Sequence, residues 1–142
     1  NFGHLVTDAQ FQDFVLRVKF KALQGNSGLY FRIEEKGSSG VSGFQAEIDP
    51  AGNTGGLYET NGRGFVVVPK PEVVHKAFKP KDWNEMIVSA RGGDITVKVN
   101  GITTAELKND PGKWTKGLIA FQLHGGNDMV VMFKDIEISD VR

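Results

Sequence analysis

Apolar and polar residues alternate over short segments of this chain, and glycine-rich turns separate the segments. Residues 14–20 and 29–33 are the clearest cases, with an apolar side chain at every second position. Because successive side chains of a strand point to opposite faces of a sheet, this period of two predicts strands with one face on a core. Such segments recur at a spacing of roughly 8–12 residues. The pattern predicts an all-β sandwich or barrel of about eleven strands with little or no helix.

The composition excludes several classes of function. The 142 residues suffice for one domain, residues 1–142, that buries roughly two-thirds of its unfolded surface. Lys and Arg together number 17, as do Asp and Glu, so no basic excess points to nucleic acid. The lack of cysteine excludes disulfides and thiolate metal sites. No apolar run approaches the roughly 18 residues that a membrane span needs.

The segment 43–58 carries the best candidate site. Its polar positions Gln45, Glu47 and Asp49 fall on one face of a strand. Glu47 and Asp49 would stand side by side on an exposed face, with Cα atoms roughly 6.5 Å apart. Two acids can divide the roles of acid and of nucleophile or base in glycoside cleavage, but this spacing does not decide between retention and inversion. The alternative is a pair of ordinary solvated acids on the outside of a half-buried strand.

Other strands supply further candidates. Arg32 would reach Glu47 if their two strands pair, either as a structural ion pair or as a contact to a ligand. Tyr30 and Tyr58 could offer their rings to a sugar face or pack within the sheet. His124 titrates near neutrality and could act as a base or metal ligand, although a hydrogen-bonded turn residue is the plainer interpretation.

Five further positions and segments lead to predictions of their own. Trp114 lies in a Gly/Pro loop and could line the rim of a groove, whereas Trp83 begins a strand and is better explained by the core. The dipeptide 100–101, Asn-Gly, predicts a two-residue hairpin turn. Residues 70–82 contain at most one helical turn and are expected to form a crossover or a loop over the site. The alternation of apolar and polar residues shifts by one position near residues 134–135, which predicts a bulge in the last strand.

A series of motifs resembles a known family. These motifs span residues 14–16, 26–32, 43–49, 56–58, 83–84, 99–101, 117–125 and 133–138. In this order, and over nearly the whole chain, they are similar to the 3-keto-disaccharide hydrolase domain, which has the concanavalin-like lectin/glucanase jelly-roll fold. The resemblance implies a β-sandwich of two antiparallel sheets. It also implies cleavage of 3-keto-disaccharides or other 3-keto-glycosides in a groove on the concave sheet.

The resemblance also implies a site and a reaction. A ketone at C3 acidifies the hydrogen on C2, so a base can remove it and the C1 substituent can leave before water adds. Arg32, or a divalent cation held by the two acids and His124, would stabilise the enolate, so a metal ion is an option left open. The catalytic residues implied are Arg32, Glu47, Asp49 and His124. The substrate-binding residues implied are Tyr30, Gln45, Tyr58, Trp114, Gln122 and Lys134.

The chain departs from the family in two places. The family usually has a further N-terminal segment with a strand before the position of His4, so one sheet is expected to lack an edge strand or to take it from a partner. The family also usually has Arg where this chain has Lys134. Lysine presents a point charge in place of the planar fork of arginine, which weakens the case for a substrate contact there.

Three function classes compete for this chain. The first is an enzyme that cleaves 3-keto-glycosides. The second is a non-catalytic, lectin-like carbohydrate-binding module of a larger secreted protein, and the third is a structural adhesion domain. The expected partner is a saccharide, with no nucleic acid and no membrane span. The family resemblance implies a bacterial protein that works in the periplasm or outside the cell.

Overall fold

Two antiparallel sheets pack face to face in the computed structural model, which describes residues 2–35, 40–124 and 130–141. The elements within these residues are β1 Phe2–Val6, β2 Phe14–Gln24, β3 Ser27–Glu35, β4 Val41–Ile48, β5 Leu57–Thr60, β6 Gly64–Val67, α1 Pro71–Ala77, β7 Trp83–Arg91, β8 Asp94–Val99, β9 Ile102–Leu107, β10 Leu118–His124 and β11 Val130–Asp140. The six-stranded sheet has the order β1-β10-β3-β4-β5-β6, and the five-stranded sheet has the order β11-β2-β7-β8-β9. The predicted all-β sandwich is confirmed.

The core lies between the sheets and consists of the inward positions of alternating strands. From β2 and β4 these are the fully buried Phe14, Leu16, Val18, Phe20, Phe44, Ala46 and Ile48. The ring of Phe31 stacks on Phe44 with centroids 5.5 Å apart and meets Phe14 edge-on at 5.8 Å. Burial of each phenylalanine, leucine, isoleucine or valine of this core contributes roughly 1.5–3 kcal/mol to stability through removal from water. The period of two in the sequence therefore predicted the inward faces of both strands correctly.

Helix α1 covers one end of the core. It spans seven residues, or two turns, which is longer than the single turn predicted. Pro71 suits the first turn because its missing N–H needs no partner there. Val74 and Ala77 are buried three residues apart, and Phe78 stacks on Phe20 at 6.2 Å. No helix in the described part of the chain is long and apolar enough to cross a membrane.

The predicted hairpin at 100–101 joins β8 to β9. Asn100 and Gly101 have φ of 51° and 81°, which is the conformation that favours Asn-Gly in a tight turn. The side chain of Asn100 donates to the carbonyl of Ala77 at 2.7 Å and accepts from the amide of Glu85 at 2.9 Å. Asn100 therefore fastens α1 to the five-stranded sheet, in addition to forming the turn.

Two predictions about the five-stranded sheet have different outcomes. The bulge predicted in β11 is confirmed, because the register with β2 shifts between Lys134 and Glu137 and Asp135 has a φ of 53°. The core position predicted for Trp83 is wrong. On β7 the buried positions begin at Asn84, so Trp83 lies half-buried on the outer face of the sheet.

Strand β3 contains an irregularity of the same kind. Between Phe31 and Glu34 it advances three residues while β4 advances two, and its register with β10 is interrupted at the same place. Arg32 lies in this bulge with a φ of 50°. A bulge changes which face the following residues occupy. Ile33, expected in the main core, therefore packs with Tyr30 in a small separate apolar cluster.

Glycines on both sides make room for this bulge. A Cβ at Gly43 of β4 would lie 2.7 Å from the carbonyl oxygen of Arg32. A Cβ at Gly117, just before β10, would lie 2.5 Å from the carbonyl carbon of Arg32. Gly43 also has a φ of 135°, which residues with a side chain rarely adopt. Neither position therefore accommodates a side chain without moving the backbone of β3.

Candidate functional site

The outer face of the six-stranded sheet brings together most of the predicted substrate contacts. Tyr30 of β3 pairs with Gln45 of β4, which pairs in turn with Tyr58 of β5. In the next row Gly28 pairs with Glu47. Ala120 of β10 pairs with Tyr30, so Gln122, two residues further on, falls beside Gly28. We call this surface the polar face and define it as Tyr30, Gln45, Glu47, Tyr58 and Gln122.

An amide bridge crosses the polar face. Nε2 of Gln45 donates to Oε1 of Gln122 at 3.1 Å and to the carbonyl oxygen of Ser27 at 3.3 Å. The bridge passes over Gly28 of β3, where a Cβ would clash with the amide of Gln45 and would lie 2.9 Å from the carbonyl of Ala46. Gly28 was not among the predicted site residues, although a glycine inside a strand often marks such a close approach.

Ser27 supports the same bridge from below. Its hydroxyl donates to the backbone oxygen of Gln122 at 2.9 Å, and the side chain is fully buried. Serine at this position therefore ties β3 to β10 at the point where the two glutamines meet. No local pattern predicts this role, because a lone serine after a turn is common and its partner is 95 residues away.

Glu47 is the chemically most unusual residue of the polar face. The sequence predicted an exposed carboxyl, and this is wrong: the residue is only 7 % exposed, because the neighbouring strands and the loop after β4 enclose it. Burial raises the pKa of Glu47 to about 7, and the negative charge of nearby Asp49 acts in the same direction. A hydrogen bond with Asn26 acts in the opposite direction. Glu47 therefore changes charge near neutral pH, as acid–base catalysts do.

Asp49 lies at the end of β4 beside Glu47, as predicted. Its Oδ1 accepts a hydrogen bond from the amide of Ala51 at 3.0 Å. Its backbone amide and carbonyl both bond to the hydroxyl of Thr54, at 2.9 and 2.8 Å. Asp49 therefore organises the turn that follows β4, and its charge acts on Glu47 from a fixed position.

The two tyrosines of the polar face differ in exposure. Tyr30 is 5 % exposed, and burial raises its pKa to about 12, with the charge of Glu47 as the next cause. Its hydroxyl is protonated at neutral pH, as that of an ordinary tyrosine is, and can donate a hydrogen bond. Tyr58 is half-buried and meets Phe65 edge-on, with ring centroids 5.0 Å apart. Tyr58 is thus the more accessible of the two rings.

Arg32 does not lie beside Glu47, and this prediction is wrong. The bulge in β3 turns its side chain away from the polar face, and only 1 % of it is exposed. Its guanidinium donates to the carbonyl of Gln12 at 2.7 and 3.0 Å and to that of Gly92 at 2.7 Å, and it lies 3.4 Å from the carboxylate of Asp13. Arg32 therefore connects three loop segments at one end of the sandwich.

Two other predicted contacts also lie away from the polar face. Trp114 is 8 % exposed and packs against the main core, and its carbonyl accepts a hydrogen bond from Arg32 at 3.4 Å. Lys134 belongs to β11 in the five-stranded sheet, where its ammonium lies 4.0 Å from the ring centroid of Trp83. A ligand on the polar face does not reach Lys134, because the sandwich lies between them, and Trp114 is buried in the core.

His124 ends β10, and its backbone pairs with Phe2 of β1. Its side chain lies outside the part of the chain that the structure describes. Within the described residues, no group of three or more His, Asp or Glu side chains could hold a metal ion. The roles of His124 as a base or metal ligand, and the metal ion itself, stay predictions.

The buried carboxyl predicts an unusual dependence of stability on pH. The pKa of Glu47 is about 7 in the folded protein against an ordinary value of 4.5, so between these pH values the folded state holds a proton that the unfolded chain has released. The free energy of unfolding should therefore fall as pH rises through this window, by an amount on the order of 3 kcal/mol. Glu47→Gln cannot ionise and should lack this decline. Denaturant titrations at pH 5 and pH 8 measure it, and equal declines in both proteins would contradict the prediction.

The comparisons with known proteins agree with this architecture. The family model of the 3-keto-alpha-glucoside-1,2-lyase-like domain matches residues 1–139. No curated protein has a significantly similar sequence.

Solved structures with a similar fold come from enzymes and from binding proteins. A Parabacteroides distasonis protein provisionally assigned as a glycosyl hydrolase superposes with a TM-score of 0.76 at 21% identity, covering 99% of this chain and 84% of that one. The carbohydrate-binding module CBM66 from Bacillus subtilis gives 0.73 at 12% identity, covering 96% and 81%. The homodimeric agglutinin CG-16 from chicken liver gives 0.59 at 20% identity, covering 96% and 100%.

At these identities the solved structures show the fold alone, whereas the family model covers nearly the whole sequence. It is also the family whose motifs the sequence resembles. This chain belongs to the family of 3-keto-alpha-glucoside-1,2-lyase-like domains.

Proposed function

We propose that this domain cleaves 3-keto-α-glucosides on the polar face, with Glu47 as the general base. The observation that carries the proposal is the buried carboxyl with a pKa of about 7 among tyrosine and amide groups. A base whose pKa lies near the working pH combines a large reactive fraction with a strong driving force for proton transfer. Within the described residues no ion pair holds Glu47, and its carboxyl has a hydrogen bond with Asn26.

The reaction that suits such a base is an elimination. The carboxylate of Glu47 takes the proton from C2, and the electrons of the C–H bond form an enolate whose charge rests on the C3 oxygen. The enolate then re-forms the ketone while the bond from C1 to the glycosidic oxygen breaks, which leaves a double bond between C1 and C2. Protonated Glu47 returns its proton to the leaving oxygen. Water adds across the double bond afterwards and gives the free 3-keto sugar.

Other residues of the polar face supply binding and charge stabilisation. Tyr30, whose pKa the charge of Glu47 helps to raise, is placed to donate its hydroxyl proton to a sugar oxygen beside that carboxyl. The more accessible ring of Tyr58 can pack against a sugar face. Asp49 adds negative charge next to Glu47 and so makes it a stronger base.

A second candidate function is saccharide binding without chemistry. Amide groups and tyrosine rings are the groups that hold sugar hydroxyls and sugar faces in binding proteins, and the polar face contains both. The similar fold of a carbohydrate-binding module makes this the main competitor of the enzyme hypothesis.

A turnover assay separates the two functions. We expect the domain to release glucose from 3-ketotrehalose, detected with a glucose-specific enzyme, and to leave unmodified trehalose intact. Calorimetric binding of either sugar without glucose release would favour the binding module. If the domain neither releases glucose nor binds either sugar, both hypotheses are contradicted. The predicted periplasmic or extracellular location, and further domains of a parent protein, remain part of this proposal.

A further inference from the structure

Phe65 lies next to the polar face, on the edge strand of the same sheet. It belongs to β6, the last strand of the six-stranded sheet, and pairs with Tyr58 of β5. Because directly opposite residues of neighbouring strands share a face of the sheet, Phe65 lies on the same side as Tyr58. It is 39 % exposed, more than any other aromatic side chain in the part of the chain that the structure describes. Apolar surface therefore borders the polar face at this edge.

The ring of Phe65 also lies close to the proposed base. The amide of Glu47 donates to the carbonyl of Gly56 at 2.9 Å, so these two residues face each other across neighbouring segments of the sheet. A Cβ at Gly56 would lie 3.3 Å from Cε1 of Phe65, so the ring covers the backbone at this glycine. Neighbouring strands are roughly 5 Å apart. One strand spacing therefore separates Glu47 from the residue that the ring of Phe65 covers.

The two flanks of Glu47 differ in chemistry. On the β3 side lie polar groups, namely the amide bridge and Tyr30. On the side of β5 and β6 lie the rings of Tyr58 and Phe65, which meet at an angle of 81°. In the proposed elimination, negative charge develops on the ketone ring, which polar groups stabilise. The leaving group carries charge only on its glycosidic oxygen, so the C–H face of its ring is suited to contact with aromatic side chains.

We propose that Phe65, together with Tyr58, binds the pyranose ring of the leaving group, so that the site prefers 3-keto-disaccharides to 3-keto-glucosides with a small leaving group. This inference rests on the proposed function. C2 is bonded to C1, and protonated Glu47 returns its proton to the oxygen on C1, so the leaving group must also lie beside Glu47. The ketone ring takes the polar flank, and the aromatic flank is left for the second ring.

Two ketones that differ only in the leaving group test the proposal. In a Glu47→Gln background, which blocks turnover, calorimetry compares 3-ketotrehalose with methyl 3-keto-α-glucoside. We expect the two-ring sugar to bind about 10-fold more tightly, because contact over roughly 50 Å² of apolar surface produces a gain of this size. Phe65→Ala should remove the difference and leave the affinity for the methyl glucoside unchanged. Phe65→Trp should retain the difference, since it keeps a flat ring.

The matched control is Trp83→Ala, which removes a half-buried aromatic ring from the outer face of the other sheet and should leave the difference intact. A difference that survives Phe65→Ala, or equal binding of both ketones to the parent protein, would overturn the proposal. So would equal losses for both ketones, because Phe65 would then only support the site. The absence of measurable binding of 3-ketotrehalose would also overturn it. If Phe65→Ala does not fold, as judged by its melting curve, Phe65→Leu decides, because leucine can pack on Tyr58 but has no flat face.

This result is distinguishable from the outcome for the proposed catalysis. A wild-type protein that releases no glucose, but whose preference for the two-ring sugar depends on Phe65, refutes the enzyme and supports the leaving-group contact. A protein that cleaves both ketones, and whose affinities do not change in Phe65→Ala, supports the enzyme and refutes the contact. In an active enzyme, Phe65→Ala should raise KM for 3-ketotrehalose about 10-fold with little change in kcat, because the contact is the same in the bound substrate and in the transition state.

Discussion

Glu47→Gln should lower kcat for the cleavage of a 3-keto-α-glucoside by about 1,000-fold, within the range that removal of a general base produces. The amide has nearly the same shape and can keep a contact with Asn26, but it cannot accept a proton from C2. For the wild-type protein, kcat/KM should rise about tenfold per pH unit below pH 7 and level off above it, because the pKa of Glu47 is about 7 and only the carboxylate reacts. Initial rates of glucose release between pH 5 and pH 9 measure both effects.

The matched control is Glu106→Gln, which makes the same chemical change at an exposed position of β9 in the other sheet. It should leave both the rate and its pH dependence unchanged. Melting curves at pH 5 show whether the Glu47 variant keeps its fold. A folded Glu47→Gln protein with more than a tenth of the wild-type rate would refute the assignment of the base. A pH profile that is flat between pH 5 and pH 9 would do the same.

Arg32→Ala is expected to lower the free energy of unfolding by about 3–5 kcal/mol, because removal of one partner from a buried charged network leaves the other groups unpaired. The guanidinium is 1 % exposed and donates to carbonyls of separate loops, so truncation leaves those acceptors without their donor and removes the positive charge beside Asp13. A loss of this size is a large fraction of the stability of an ordinary domain. Arg32→Lys should recover only part of it, since an ammonium cannot reach all of these acceptors in one plane.

Denaturant titration measures this loss, and Arg17→Ala is the control. Arg17 is half-exposed, 4.0 Å from Glu85, and its replacement should cost less than about 1 kcal/mol. The activity of the folded fraction separates a structural role from the catalytic one that the sequence suggested for Arg32. If Arg32→Lys keeps wild-type stability but has a much lower kcat, then Arg32 acts on the substrate, and a purely structural role for it among the loops is refuted.

The faces of β2 and β4 were predictable because an uninterrupted period of two leaves only one way to bury the apolar side chains. The position of Arg32 was not predictable, because apolar and polar residues alternate without interruption over residues 29–34 and such a pattern does not reveal a bulge. Gly43 and Gly117 are the sequence features that accompany the bulge, but they indicate it only once the neighbouring strands of β3 are known.

The candidate site was predictable only in part for a similar reason. The common face of Gln45 and Glu47 follows from alternation, whereas the burial that raises the pKa of Glu47 comes from strands and loops distant in sequence. The amide bridge to Gln122 joins residues 77 positions apart, and no local pattern encodes such a contact. The contact between Trp83 and Lys134 on the five-stranded sheet was not predictable for the same reason, because it also joins residues that are distant in sequence.

The glycine-flanked bulge has a consequence for how this chain tolerates insertions. A slip of one residue between neighbouring strands would exchange the inner and outer faces and carry Tyr30 or Glu47 into the core. The extra residue of β3 fits only where both adjoining strands lack a side chain, so β10, β3 and β4 share one alignment. Insertions into the loops of this chain should therefore leave Tyr30 and Glu47 on the same face, because the bulge within β3, and not the length of the loops, sets the alignment of the three strands.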